Sequence, residues 1–531
     1  MKNQFIAYSG NEKLFVNQLP RRKHIVDPAP SAIKTGKNLC VCVNSVHEIN
    51  YKIKENKQYK YYCILYCNLE NGSKASIRLT GVKPFFDIFV PDNTDPNRFA
   101  QEMTAYFIDC NCQCYEHKVV YQKPGNGYNI NDLPYIRFYF HTTTKHSLAV
   151  KKCKPEYYDW SMGKRLQNWI IYHDKNNTKH KVQGLQTALD EHVKGQYYRK
   201  LARECLFTAG GWNMISKFQT DRSGINKQIC IEYAFKTHYT NIKELSQVGI
   251  DPTRDKNYAH LLNDKALVCG WDLETITDKF GMVPDPENTD DKIFMASLSF
   301  SWACSMQSLL TICITTLPTP PRDDCVIIAC QTQAQLIAAT FRCLEFMAPD
   351  IFIGFNDGMY DTPFVTNRAL QNKKLLAYVK DVISPLCKNS CNSSYYLKNW
   401  YKTEKIKLEA DMDMHVQIFQ VPGFIHLDAR PMFRRLFPKL EKTGLNDFLK
   451  EVKLESKEDM NYNTMFRIYL VLDFLRQHYQ TKPSVDEFQT LLDLMQQSPP
   501  MDQLKNNYLI KEFKADKYDY HQIVELINDS T

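Results

Sequence analysis

Asp272 and Glu274 stand one residue apart in VCGWDLETIT (268–277), where an apolar run meets two carboxylates. Strand side chains two positions apart share a face, so both acids point the same way, a few ångströms from each other. Like charges at that spacing repel. The pair is tolerable if both are solvated, if one is protonated, or if a cation lies between them. A third carboxylate, Asp361, follows in APDIFIGFNDGMYDTPF (348–364), where a buried-type strand ends in a turn and a helix opens with Asp361 at its N-cap and Pro363 in its first turn. Three carboxylates at strand ends supply hard oxygen ligands for two divalent cations about 4 Å apart. One ion would activate a water and the other would stabilise the leaving 3′ oxygen of a phosphodiester. Blander readings stand beside this one. The same spacing of two acids recurs in DMDM (Asp411, Asp413) as a solvated stretch, and an aspartate at a helix start is often a plain cap.

The elements that must position these acids begin near residue 265. ALVCGWDLE, KIFMASLSFSW, SLLTICITT and CVIIACQ read as strands, QAQLIAATFRCLEFM as an amphipathic helix, DIFIGFN as a strand and DTPFVTNRALQNK as a second helix. Strands alternating with helices predict an α/β domain with a mixed sheet, with its site at the strand ends. The stretch 373–407 holds eight lysines against two acids, interleaved with Tyr378, Tyr395, Tyr396, Trp400 and Tyr401. It reads as a basic insertion, here bounded at 373–410, that could grip single-stranded nucleic acid by stacking and phosphate contacts. VQIFQVPGFIHLDA reads as a hairpin turning at Pro-Gly. Upstream, NLCVCVNSV, YKYYCILYC, KASIRLTGV, FFDIFVP and PYIRFYFH are short strands parted by polar turns. The expected organisation is a β-rich part over 1–135, a mixed α/β part over 136–262, the carboxylate-bearing domain over 263–475 and a charged helical segment over 476–531.

A chain of 531 residues exceeds one ordinary core and predicts several domains. Hydrophobic residues at 44% and charged residues at 24% describe a globular protein rather than a disordered or fibrous one. No apolar run approaches the ~18 residues of a membrane span, and the polar start MKNQFIAYSGNEK lacks a signal-peptide core. The formal net charge of +8 favours an anionic partner without naming it. The 18 cysteines read as reduced, mostly buried thiols, because CNCQC and CKNSC lack the spacing and partners of a structural zinc site. The expected setting is intracellular and reducing. RRK (21–23) is too short to be a targeting run.

WDLET resembles the first exonuclease motif of family B DNA polymerases, and PDIFIGFNDGMYDTPF resembles the second. GVKPFFDIFVP is similar to that family's N-terminal Gly-x-x-Pro-aromatic-aromatic strand, and GFIHLDARPMFRRLFPKLEKTGLNDFLKEVKLESKEDM to the segment after the second motif. The wording sits nearest the asfarvirus-like polymerases of large nucleocytoplasmic DNA viruses, and the resemblance spans most of 35–465. It implies an RNase H-like 3′–5′ exonuclease domain of the DEDD type, a mixed sheet with flanking helices, preceded by a β-rich, OB-like N-terminal domain. Carried over residue by residue, it makes Asp272, Glu274 and Asp361 ligands of two Mg²⁺ or Mn²⁺ ions. It places Asn356 at the single-stranded 3′ end, with Phe355 and Tyr360 either contacting DNA or packing. The implied partner is DNA, as a single-stranded 3′ end or a primer-template, in a virus replication site or a nucleus.

The family's third motif is Tyr-x-x-x-Asp, and YLVLD offers Tyr469 and Asp473. Its apolar residues at helical spacing also suit a core helix. Palm motifs resembling DFxSLYPS and YGDTDS are absent from the 531 residues. The expectation is therefore the N-terminal and exonuclease portion of a replicative polymerase, served by a separate polymerase chain and a sliding clamp. Two rivals stand beside it: a non-catalytic DNA-binding or assembly half, and a free-standing exonuclease. The upstream ~260 residues count against the second.

Overall fold

The computed structural model describes residues 6–9 and 12–15, most of 21–456, and then Met465, Phe466 and Tyr469; the longest internal stretch outside this description is 384–399. The chain forms two units. One gathers residues 1–26 with 264–383 and the chain beyond 399, and the other is built on 27–263.

The first unit carries the three candidate carboxylates. Its strands are β1 (Ile6–Ser9), β2 (Glu12–Phe15), β3 (Leu267–Ile276), β4 (Lys292–Trp302), β5 (Ser308–Thr315), β6 (Val326–Ala329), β7 (Ile351–Gly354), β8 (Tyr401–Lys407), β9 (Asp413–Phe419) and β10 (Ile425–Asp428). Its helices are α1 (Gln333–Met347), α2 (Asp361–Gln371), α3 (Lys373–Ile383), α4 (Ala429–Leu436) and α5 (Leu445–Glu451). Eight strands make one mixed sheet in the order β2-β1-β6-β5-β4-β3-β7-β10. β3 shows why: Leu267, Cys269, Trp271 and Leu273 are buried, whereas Val268, Gly270, Asp272 and Glu274 on the other face are half-exposed. Leu336, Ile337, Phe341 and Leu344 of α1 join the buried β3 residues in one core. β3 pairs in parallel with β7 (Cys269 opposite Phe352), and β7 with β10 (Gly354 opposite Asp428). β7 and β10 therefore end side by side, at Gly354 and Asp428, next to the part of β3 that bears Asp272, and strand ends are where α/β sheets place their sites.

One expectation for this unit changes. The strands flanking Pro-Gly at 422–423 do not pair with each other: β9 pairs with β8, and β10 enters the main sheet. The amide of Phe419, at the end of β9, donates instead to His426 Nδ1 at 2.8 Å. The described ends of the basic stretch contribute to the core. Leu375 and Val379 of α3 lie in the core, and Trp400, 1% exposed, stacks on Phe419 with ring centroids 5.8 Å apart. Tyr395 and Tyr396 lie outside the described residues. Residues 1–26 belong with this unit because β1 pairs antiparallel with β6 and Arg22 pairs with the buried Asp350.

The second unit is strand-rich. A seven-stranded sheet orders the strands 219–220, 233–238, 74–80, 59–69, 37–52, 212–217 and 242–244. A three-stranded sheet of 85–89, 133–139 and 116–122 packs on helices 96–109 and 143–153. The expected boundary at 135/136 falls within the strand 133–139. Ile136 and Phe138 share one core with Phe86, Phe99 and Phe107, so the chain cannot divide there without opening it. Among the described residues, no helix is long and apolar enough to cross a membrane.

Candidate active site

The Leu273 backbone N–H, between the two strand carboxylates, donates to Asp361 Oδ1 at 3.1 Å. Asp361 is only 4% exposed. It is the first residue of α2 rather than its N-cap, a place taken by Tyr360, so its carboxylate reaches across to β3. Burial, then the charges of Asp272 and Asp357, push the Asp361 carboxyl well above the ordinary carboxylate range. Asp272 and Asp361 thus come together, and Glu274 stands two residues along on the Asp272 face. Among the described residues, no three Asp, Glu, His or Cys side chains converge as a formed metal site. The donor set nonetheless suits a hard divalent cation, whose charge would relieve the burial and repulsion that disfavour an ionised Asp361.

The residues expected at the DNA end divide. Phe355 packs its ring against Phe448, centroids 6.0 Å apart. Tyr360 shares a 2.6 Å hydrogen bond with Thr275 and packs on Phe364. Burial, with smaller contributions from Asp361, Asp291 and Glu274, pushes its hydroxyl up to about 12. Asn356 adopts the left-handed conformation, φ 64°, which asparagine tolerates better than most residues. Its Oδ1 accepts from Arg430 at 2.7 Å. That contact orients the amide with its NH₂ turned away from the guanidinium.

Sequence reasoning missed what holds this turn. Asp428 accepts from the N–H groups of Asn356 (2.8 Å), Gly358 (3.2 Å) and Arg430 (2.9 Å). Burial, then the Asp357 charge, raises its pKa against those three bonds. Asp357, fully buried, accepts from Trp271 Nε1 at 2.8 Å and from His426 Nε2 at 2.5 Å. The only signal in the letters was the Asn-Asp-Gly turn itself, which marks a bend and not its partners. Gly354 makes the approach possible. A Cβ there would lie 2.5 Å from Asp357 Cβ and 2.9 Å from Trp271 Nε1. Gly354→Ala should therefore destabilise this unit by about 1–3 kcal/mol, as overpacking does, measurable as a lower urea midpoint.

Of the third-motif pair, Tyr469 is buried, with its ring 4.9 Å from Phe294 of β4, the strand beside β3. Asp473 lies outside the described residues.

Residues 197–446 match the family model described as DNA polymerase family B, exonuclease domain. A DNA polymerase beta of African swine fever virus is 26% identical over 455 residues, covering 85% of this chain and 33% of the relative. The DNA polymerase delta catalytic subunit of Schizosaccharomyces pombe is 23% identical over 406 residues, covering 74% of this chain and 33% of that protein. A solved family B DNA polymerase from Pyrobaculum calidifontis superposes with a TM-score of 0.47 at 10% identity, covering 81% of this chain and 42% of the other. The chain spans about a third of the length of the curated relatives it matches. Over residues 197–446 it carries the exonuclease domain of family B DNA polymerases.

Proposed function

We propose that this chain performs metal-dependent 3′–5′ hydrolysis of DNA ends, the proofreading step of a replicative viral polymerase. The observation that carries this reading is the meeting of Asp361 with the β3 strand that bears Asp272 and Glu274. Asp272, Glu274 and Asp361 would hold Mg²⁺ or Mn²⁺, two ions in the full site. When bound, the ions supply Lewis acidity toward the attacking water and the leaving 3′ oxygen. The chain's own residues do the rest. Leu273 N–H fixes the Asp361 carboxylate, and Asn356, its amide oriented by Arg430, offers its NH₂ to the single-stranded end. Tyr469, packed beside β4, is retained as the third-motif tyrosine, with Asp473 as its carboxylate. Nucleotide transfer, a sliding clamp and a separate polymerase chain belong to the whole enzyme in this reading, and a virus replication site is its setting.

One observation favours a second reading, a non-catalytic DNA-binding half: no three ligands converge among the described residues. The test is incubation of the purified chain with a 5′-labelled primer carrying a mismatched 3′ end, with Mg²⁺ or with EDTA. Stepwise shortening from the 3′ end only with metal is expected. Binding of single-stranded DNA without cleavage would establish the second reading instead.

A further inference from the structure

Behind the carboxylates lies a buried group that the proposed reaction does not use. Asp357 Oδ2 takes hydrogen bonds from two elements at once, Trp271 on β3 and His426 on β10. The imidazole is set as a donor toward Asp357, because its Nδ1 accepts the Phe419 N–H and its Nε2 must then carry the proton. Among the described residues, Asp357 Oδ1 is buried with no hydrogen-bond partner. Trp271 precedes Asp272 directly, and Asp357 sits one helical turn before Asp361 along the chain. The Trp271 ring is held on its other side by Phe352, centroids 4.9 Å apart.

We infer that Asp357 is a positioning residue, a clamp through which Trp271 and His426 hold the β3 carboxylates against Asp361 at the spacing that divalent cations require. This inference rests on the exonuclease reading and deepens it. A buried acceptor just past β7 that binds side chains of β3 and β10 fixes the offset of these strands more tightly than backbone pairing alone, which between β3 and β7 extends only over Val268–Gly270 opposite Ile351–Ile353. Asp272 lies two residues beyond the last of those pairs. Beyond that pairing, β3 is tied to the segment carrying Asp361 by side-chain bonds: the clamp, Leu273 N–H to Asp361 and Thr275 to Tyr360.

The clamp needs an acceptor oxygen, not a charge. In Asp357→Asn the amide oxygen can take the place of Oδ2 and keep both bonds, whereas Asp357→Ala loses both. Supporting residues behind a metal site are typically worth 10–100-fold in affinity or activity.

Mn²⁺ binding to the full 531-residue chain, read as free Mn²⁺ by electron paramagnetic resonance, tests this without relying on turnover. Asp357→Ala should weaken Mn²⁺ about 10–100-fold. Its excision rate should fall in parallel, with KM for a single-stranded 3′ end unchanged within about twofold. Asp357→Asn should stay within about threefold of the native chain on each measure. Trp271→Phe keeps the ring packing and removes one donor, so it reports even if Asp357→Ala does not fold; it should weaken Mn²⁺ several-fold. The clamp is refuted if Trp271→Phe or a folded Asp357→Ala binds Mn²⁺ like the native chain, or if Asp357→Asn is as impaired as Asp357→Ala. Asp272→Ala separates the two levels. Native-like Mn²⁺ affinity in that variant overturns the metal reading itself, and the clamp with it.

Discussion

Replacing Asp272 and Glu274 together with alanine should abolish 3′–5′ excision, by on the order of 10³-fold or more, while leaving single-stranded DNA binding in place. The size follows from the role. Lewis-acid stabilisation of the developing charges is worth several kcal/mol, and about 4 kcal/mol corresponds to a thousandfold in rate. Loss of fold can be separated from loss of chemistry by the sign of a second effect. Asp272 is one of the charges that disfavour ionisation of the buried Asp361. In EDTA at neutral pH, removing that charge relieves repulsion in the folded state, so the variant should melt at or above the native temperature. Added Mg²⁺ should stabilise the native chain and not the variant, because only a ligand that binds the folded site shifts its melting. A variant that loses excision but still responds to Mg²⁺ would move the metal away from these two residues. An excision rate within about tenfold of native would remove both from the chemistry.

The shared face of Asp272 and Glu274 was legible because β3 keeps a strict period of two from Leu267 to Glu274, and an alternating strand states its faces without reference to anything distant. Asp361 was legible as an acid at a helix start beside a strand end. Its actual contact, across to the Leu273 N–H, was not, since the letters carry no information about which strand lies alongside. The same blindness covers the clamp and the turn anchor. Asp357 meets His426, and Asn356 meets Asp428, only because β7 and β10 are parallel neighbours. That pairing was hidden because a Pro-Gly signal in the sequence does not say which sheet the next strand enters. Within the basic stretch 373–407, Trp400 is core, because one large ring buried on Phe419 outweighs the solvation preference of its polar neighbours. Phe355 shows the same priority: a ring at the mouth of a site still packs when Phe448 is available to it.

Arg22→Met should be the most damaging single change to the stability of the site-bearing unit that touches none of the proposed ligands. Arg22 is 2% exposed; it donates to Asp350 Oδ2 at 2.6 Å and to the Ala348 carbonyl at 2.7 Å. Asp350, with no exposed surface, also accepts the N–H of Leu267, the first residue of β3. Removing the guanidinium leaves a buried carboxylate without its counter-charge, and breaking such a pair costs about 3–5 kcal/mol. The damage should be local, because the chain forms two units and need not unfold in one step. Hydrogen exchange should therefore accelerate in peptides covering 267–276 and 351–354, with peptides from 37–80 unchanged. The cause can be isolated by removing the second charge as well. Arg22→Met with Asp350→Leu replaces the ion pair by apolar volume and should recover most of the loss, since buried pairs are often neutral or inferior to packed hydrophobic residues. If the double variant exchanges as fast as Arg22→Met alone, the cost lies in the lost bonds to Ala348 and Leu267 rather than in an uncompensated charge. In that case the N-terminal segment acts as a backbone strap on β3, and Arg22→Lys, which can still reach a carbonyl, should rescue where the apolar pair does not.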